Sequence, residues 1–306
     1  MKPDKYTNKQ FFLDVGDGHS LYVQDWGNPK AMPILFLHGG PGSGTSDTHK
    51  QLFEPLTQRV IFFDQRGSGQ SLPIGSLKNN TTQDLVEDIE AIAKKLKLNK
   101  FVITGGSWGS CLALAYSLKY PKRVEALVLR GIFTGSQKEI DFLDKGEFKS
   151  FYPDVWDRYV KTVPKEFKSS PGDYHIAKAF GQDESAAKKS IYAYSELEGS
   201  LIGLDDRHTP QDFNDFDPTS TKVEMHYLVN KCFMPDRFIL DNASKIKAPT
   251  WLVQGRYDMV CPPFAAYELN QKLPNSQLTW AKAGHSGNDR SNFDAVKTIL
   301  KQWSKR

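Results

Sequence analysis

The chain has 306 residues, of which 39% are hydrophobic and 25% charged, and a formal net charge of +4. That balance is ordinary for a soluble globular protein of one or two domains with a sizeable core. The lysines are scattered, with Lys94-Lys95 and Lys188-Lys189 the only adjacent lysine pairs, so the basic surface reads as solvated faces and no nucleic-acid partner is expected. The segment Met1 to Gln10 is polar, without the apolar core of a signal peptide, and no apolar run approaches the roughly 18 residues of a membrane span. A cytoplasmic protein without a membrane partner is expected. Cys111, Cys232 and Cys261 are odd in number and far apart, which fits reduced thiols better than a disulfide framework. No metal-ligand spacing, cofactor fingerprint, repeat or low-complexity segment is present, so neither cofactor nor metal is expected.

In chain order, alternation over Phe11 to Val15 and Ser20 to Asp25 predicts two leading antiparallel strands. The apolar run Pro33 to Leu37 predicts a buried strand, and the loop after it is His38-Gly39-Gly40-Pro41-Gly42. Val60 to Phe63 predicts the next strand, followed by Asp64-Gln65-Arg66-Gly67-Ser68-Gly69. The stripe Leu85, Ile89, Ile92 and Leu96 predicts a helix. Phe101 to Ile103 is another buried strand, and Gly105-Gly106-Ser107-Trp108-Gly109 follows it ahead of a small-residue helical pattern, Ser110 to Leu118. This is G-x-S-x-G in the strand-turn-helix context that pushes a serine out of a sheet. Alone the pentapeptide is a common turn; in that context Ser107 is the candidate nucleophile.

Val124 to Leu129 predicts a further parallel strand, after which the strand-helix rhythm breaks from about Gly135 to Pro235. This stretch has helical patterns, many aromatics and turn clusters around Pro153, Pro164, Pro171 and Pro210, and predicts a helical cap inserted between two sheet strands. Within it, Ser185 to Leu204 places Ile191, Tyr194, Leu201 and Glu198 on one helical face. A carboxylate on an apolar stripe needs a partner or a task. A second helix is expected over Asp217 to Cys232, with Glu224 one turn before Tyr227 and Leu228. Both acids could equally be surface or salt-bridged helix residues.

Beyond the cap, Trp251 to Val253 predicts a strand that delivers Asp258 to a loop, and Leu278-Thr279-Trp280 predicts one that delivers His285. The closing stripe is Phe293, Val296, Ile299 and Trp303. A serine hydroxyl needs a base oriented by an acid, and on a doubly wound sheet the order is Ser, acid, His. His19, His38, His49, His175, His208 and His226 all precede Asp258, so His285 alone satisfies the order. The catalytic set is therefore Ser107, Asp258 and His285. Amides for an oxyanion hole are expected from Trp108, next to the nucleophile, and from Gly40, since Pro41 has no N–H. Cys261, three residues after Asp258, is either near the site or a small buried hydrophobe.

The blocks at His38 to Gly42, Asp64 to Gly69, Gly105 to Ser110, Leu129-Arg130-Gly131-Ile132-Phe133, Gly255-Arg256-Tyr257-Asp258 and Ala283-Gly284-His285-Ser286 together resemble the proline iminopeptidases. The resemblance runs from about residue 30 to 290. It implies an α/β-hydrolase, a doubly wound, mostly parallel sheet with a helical cap, and a serine aminopeptidase that releases N-terminal proline from short peptides with a free N-terminus. The domains expected are 1–134 with 236–306 as catalytic domain and 135–235 as cap. The resemblance also implies that Glu198 and Glu224 hold the substrate amine, and Phe133 is a candidate wall of the substrate pocket. Leu197, Met225 and Leu228 depart from the family's tryptophan, asparagine and phenylalanine, which loosens the expectation of strict proline preference. The alternatives are an esterase or amino-acid amidase of the same fold, and a non-catalytic ligand-binding protein, for which an eroded triad would be expected.

Overall fold

The computed structural model describes residues 1–204 and 208–305. Residues 205–207 and 306, which fall within the expected segments 135–235 and 236–306, lie outside the described residues. The leading hairpin is β1 (Thr7–Asp14) and β2 (Ser20–Gly27), followed by β3 (Pro33–Leu37), β4 (Arg59–Phe63) and helix α1 (Thr82–Lys95). Next come β5 (Phe101–Ser107), α2 (Trp108–Lys119) and β6 (Val124–Ile132). After the segment described below, α8 (Phe238–Asn242), β7 (Thr250–Gly255), α9 (Pro263–Lys272), β8 (Ser276–Ala281) and α10 (Arg290–Lys301) complete the chain. The strands form one sheet in the order β1-β2-β4-β3-β5-β6-β7-β8. The pairs β1/β2 and β2/β4 are antiparallel and the remaining pairs parallel.

Alternation along the central strands explains the layering. Leu35, Leu37, Ile61, Phe63, Phe101, Ile103, Leu127 and Leu129 face one side and pack against α1, α2 and α9. Ile34, Phe36, Val60, Phe62, Val102, Ala126 and Val128 face the other and pack on α10 through Val296, Ile299 and Leu300. Each such aliphatic side chain contributes about 1.5–3 kcal/mol on full burial. Every residue of α2 from Trp108 to Ser117 is buried. A helix enclosed on all sides shows little amphipathic pattern, which is why small residues rather than a stripe announced it.

Between β6 and β7 the described residues form helices and no strand: α3 (Gln137–Asp144), α4 (Pro153–Val160), α5 (Pro171–Ala179), α6 (Glu184–Ile202) and α7 (Thr219–Val229). They share their own apolar cluster, including Phe148, Tyr159, Ile191, Tyr194, Leu197, Leu201 and Met225. The helix expected as far as Cys232 stops at Val229, because Lys231, Cys232 and Phe233 all have positive φ and cannot continue a right-handed helix. The loops that leave β3, β5, β6, β7 and β8 all start from the carboxyl edge of the parallel sheet, where doubly wound folds build their sites.

Candidate active site

Ser107 ends β5 with φ 57° and ψ −129° and caps α2. For a residue with a Cβ this conformation costs on the order of 1–3 kcal/mol and persists only when neighbours enforce it. Glycines on both sides do so by letting β3 close in. A Cβ on Gly109 would lie 2.3 Å from the Leu37 carbonyl oxygen, and one on Gly105 would lie 2.9 Å from the same atom. Ser110 Oγ donates to the Ser107 carbonyl at 2.7 Å and accepts from Phe133 N–H at 3.0 Å, tying the turn to the end of β6.

Asp258 is fully buried after β7. Its Oδ1 accepts from the N–H groups of Val260 at 3.0 Å and Cys261 at 2.8 Å. Its Oδ2 accepts from Gln254 Nε2 at 3.1 Å and faces His285 Nδ1 at 2.9 Å. A carboxylate can only accept, so the proton of a neutral His285 sits on Nδ1 and Nε2 is left with its lone pair. The ring fits because residue 131 is glycine: a Cβ there, at φ +52°, would lie 3.1 Å from His285 Cε1. Ser107 Oγ has the Cys261 thiol at 3.8 Å as its hydrogen-bonding neighbour among the described residues, rather than the imidazole. Such bonds are often loose before substrate is bound. Cys261 is thus both buried and at the site, so the two readings of it coincide.

Behind the turn a polar network fixes the loop after β3. His38 Nε2 accepts from Gln65 N–H at 3.0 Å, while Nδ1 lies 2.9 Å from the Gly39 carbonyl and 3.2 Å from the Gly44 N–H. Burial lowers the His38 pKa and keeps the ring neutral, with Asp64 opposing. Gln65 then bridges two elements, donating to the His38 carbonyl at 3.0 Å and accepting from Trp108 Nε1 at 2.8 Å. Asp64 accepts from Thr45 N–H at 2.6 Å and Gln70 N–H at 2.8 Å. Gly40 has φ +98° and its N–H has no acceptor among the described residues. Trp108 is the first residue of α2, where a helix leaves N–H groups unpaired.

Gly40 and Ser107 open into a cavity of about 40 Å³. Phe133, Glu139, Ile140, Leu143, Tyr194, Glu198, Glu224, Leu228, Val260 and Cys261 complete its wall. Glu198 and Glu224, from α6 and α7, are hydrogen-bonded to each other. Burial raises the Glu198 carboxyl above its ordinary value and raises Glu224 well above it, the adjacent Glu198 adding to the effect on Glu224. Two carboxyls in that contact share a proton rather than both ionising. A bound cation would reverse this.

Two of the three departures in the α6 and α7 segments lie away from this cavity. Leu197 and Met225 are buried in the helical cluster, and Leu197 lines a separate cavity of about 1170 Å³ among the inserted helices. An i to i+1 step on a helix turns a side chain by about a quarter of the circumference, so neighbours of the cavity glutamates face elsewhere. Only Leu228 reaches the wall beside Ser107.

Sequence reasoning left several residues without roles. Gln65 and Gln254 are polar residues at or just past the ends of buried strands and are themselves buried, a signal that was legible. Glu139 also went unnoticed. It is buried at the cavity wall and accepts from Thr134 N–H at 2.9 Å, Ser136 N–H at 3.0 Å, Ser136 Oγ at 2.7 Å and Thr134 Oγ1. Four donors leave it little capacity for a ligand.

Fold and site together define the class: the family model described as alpha/beta hydrolase fold matches residues 32–290. A protein of Arabidopsis thaliana named proline iminopeptidase is 40% identical over 294 residues, covering 90% of this chain and 75% of that one. The proline iminopeptidase of Neisseria gonorrhoeae is 36% identical over 288 residues, covering 93% of each. Among solved structures, the crystal structure titled proline iminopeptidase from Mycobacterium smegmatis has a TM-score of 0.62 at 18% identity, covering 97% of this chain and 98% of that one. A structure from a study of Nitrososphaera gargenis carboxylesterases has a TM-score of 0.66, also at 18% identity, over 96% and 99%. These two share the fold. The chain belongs to the proline iminopeptidase family of α/β hydrolases.

Proposed function

We propose that the protein is a serine aminopeptidase that releases the first residue, foremost proline, from short peptides with a free N-terminus. The observation that carries this reading is that Ser107, Gly40 and the glutamate pair Glu198 and Glu224 line one small cavity. A triad alone is indifferent to substrate charge. Two carboxyls in the same small cavity as a nucleophile suit a cationic group placed one residue from the scissile bond.

In the mechanism, the substrate's terminal ammonium, secondary when the first residue is proline, displaces the proton held between Glu198 and Glu224 to solvent and is anchored by charge-assisted hydrogen bonds. Phe133 and Leu228 flank the first side chain. Ser107 Oγ attacks the carbonyl of the first residue as His285 Nε2 takes its proton, and Asp258 stabilises the imidazolium. The tetrahedral oxygen is held by the N–H groups of Gly40 and Trp108. Collapse breaks the C–N bond, and the leaving amine takes the proton from His285. Water, deprotonated by the same imidazole, then attacks the acyl-enzyme and frees the amino acid.

The helical segment 135–235 acts as the cap over 1–134 and 236–306, carrying amine recognition while the sheet carries the chemistry. The free thiols Cys111, Cys232 and Cys261 are in keeping with action in the cytoplasm. Among the described residues no helix is long and apolar enough to cross a membrane. The test compares a proline anilide, its N-acetyl form and a simple acyl ester. Turnover confined to the free-amine anilide is expected. Rapid cleavage of the acetylated anilide, or strong preference for the ester, would favour the esterase reading instead.

A further inference from the structure

We propose that Arg130 is a positioning residue for the general base: its guanidinium, wedged under the nucleophile turn, fixes the main chain that carries His285. The inference rests on the triad reading given above, and begins with an account of three successive carbonyls. In the loop after β8, Asn292 Nδ2 donates to the Gly284 carbonyl at 3.1 Å and to the Ser286 carbonyl at 2.8 Å. The carbonyl between them, that of His285 itself, accepts from Arg130 Nη1 and from no other donor among the described residues. Orientation of the His285 peptide is therefore set from β6, 155 residues away in sequence.

The surroundings of the guanidinium fit this task. Arg130 pairs in register with Gly106, the residue before the nucleophile. A Cβ on Gly106 would lie 2.3 Å from Arg130 Nη2 and 2.7 Å from Nε, so a side chain there would push the guanidinium out of its present place under the nucleophile turn. On the other side, a Cβ on Gly287 would lie 3.4 Å from Nε. One planar cation thus touches both the nucleophile turn and the base loop.

A structural ion pair does not account for it. Among the described residues Arg130 makes no salt bridge; burial lowers its pKa, and the charge of Asp258 is the main influence opposing this. A guanidinium remains protonated under such conditions, and a half-buried charge without a contacting counter-ion is held in place by its hydrogen bonds. The bond to the His285 carbonyl is of this kind. Without it the imidazole drifts relative to Ser107, and a misplacement of about 1 Å costs on the order of 10²-fold in rate.

A cavity of about 200 Å³ opens beside the guanidinium, lined in part by Gly106, Gly287, Asn288 and His49. It offers an entry for chemical rescue. The test uses the full chain and reads both proline-anilide turnover and inactivation by a fluorophosphonate, which reports on serine and base without needing amine recognition. Arg130→Ala is expected to lower kcat and the inactivation rate roughly 10- to 100-fold with KM within about twofold, and millimolar guanidinium ion, but not urea, to restore both. A wild-type inactivation rate in this variant, a loss confined to KM, or failure of guanidinium to restore either rate would overturn the proposal. Should the alanine chain not fold, Arg130→Lys keeps the cation but loses the fork under Gly106. Its kcat is expected to fall with KM unchanged, and a wild-type kcat would overturn the proposal. Ser107→Ala separates the two levels: if it still reacted with the fluorophosphonate, the triad reading itself would fail, whereas a normal Arg130→Ala beside an inert Ser107→Ala sinks only the positioning role.

Discussion

Ser107 holds a positive φ that its side chain disfavours, and the glycines that make room for it have no part in the chemistry. The strain belongs to the turn, so replacing the hydroxyl should leave the fold intact: Ser107→Ala is expected to lose roughly 10⁴-fold or more in kcat, with an unchanged melting temperature. The glutamate pair behaves differently, because its ionisation is coupled to both folding and binding. Both carboxyls are raised above the ordinary glutamate value, so the folded state keeps protons that the unfolded chain gives up. Stability is therefore fully present below the ordinary value and is lost as pH rises through the raised folded values. Glu224→Gln cannot ionise and should escape that loss, melting above wild type on the alkaline side of the window and together with it on the acid side. For binding the sign reverses, since an ammonium needs ionised acids, and wild-type KM should fall as pH rises through the same window. At higher pH, Glu198→Gln and Glu224→Gln should each weaken substrate binding by roughly 1–3 kcal/mol, read as KM on the proline anilide. Melting curves and KM that are both flat with pH would return these acids to the role of ordinary helix residues.

Elements differ in how clearly the sequence announced them, for physical reasons. Strands β3, β4, β5 and β7 are buried on both faces, so continuous apolar runs marked them, and the motif loops sit at their carboxyl ends. Strand β6 runs three residues beyond the expected Leu129, to Ile132, because Arg130-Gly131 has the composition of a turn while Arg130 and Ile132 stay paired around a bulge at Gly131. Pro153 and Pro171 looked like turns and instead open α4 and α5, where a missing N–H is harmless. The placement of Ser107, Asp258 and His285 at or just past the ends of β5, β7 and β8 was legible from the runs before them; the bonds from Gln65, Gln254 and Arg130 were not, since they join residues distant in sequence. The loop between β4 and α1 is the clearest case of structure hidden inside a motif. Arg66 Nε and Nη2 each meet an oxygen of buried Asp88 at 2.8 Å, and Nη1 meets the Asn79 carbonyl at 2.5 Å. Removing one partner strands a buried charge, so Arg66→Ala should destabilise the protein by about 3–5 kcal/mol, measured by urea unfolding. Because Arg66 does not line the cavity beside Ser107, the folded fraction should keep KM near the wild-type value. A large KM change with unaltered stability would contradict the structural role.

At the scale of the whole molecule, the inserted helices are joined to the sheet at points that also position the site. The Ser286 N–H donates to the Ile202 carbonyl at 2.8 Å, so the end of the helix that carries Glu198 is bonded to the residue after His285. On the other flank, Tyr227 of α7 donates to Asn80 Oδ1 at 2.7 Å and packs on Trp108 with ring centroids 4.7 Å apart. Asn80 in turn donates to the Arg66 carbonyl at 3.1 Å and accepts His226 Nε2 on its own carbonyl at 3.1 Å. Such shared contacts argue that helices and sheet unfold as one cooperative unit, with activity, tryptophan fluorescence and far-ultraviolet circular dichroism lost at one denaturant concentration. Tyr227→Phe tests the joint directly. It keeps the ring on Trp108 but leaves Asn80 Oδ1 buried without its donor, which should destabilise the protein by roughly 1–3 kcal/mol. Since Tyr227 lies one turn from Glu224, loosening α7 should displace the amine anchor more than the triad, so KM is expected to rise more than kcat falls. If activity instead disappeared well before the fluorescence and dichroism transitions, the helical segment would be opening on its own, and the cooperative coupling inferred from Asn80, Tyr227 and Ile202 would be wrong.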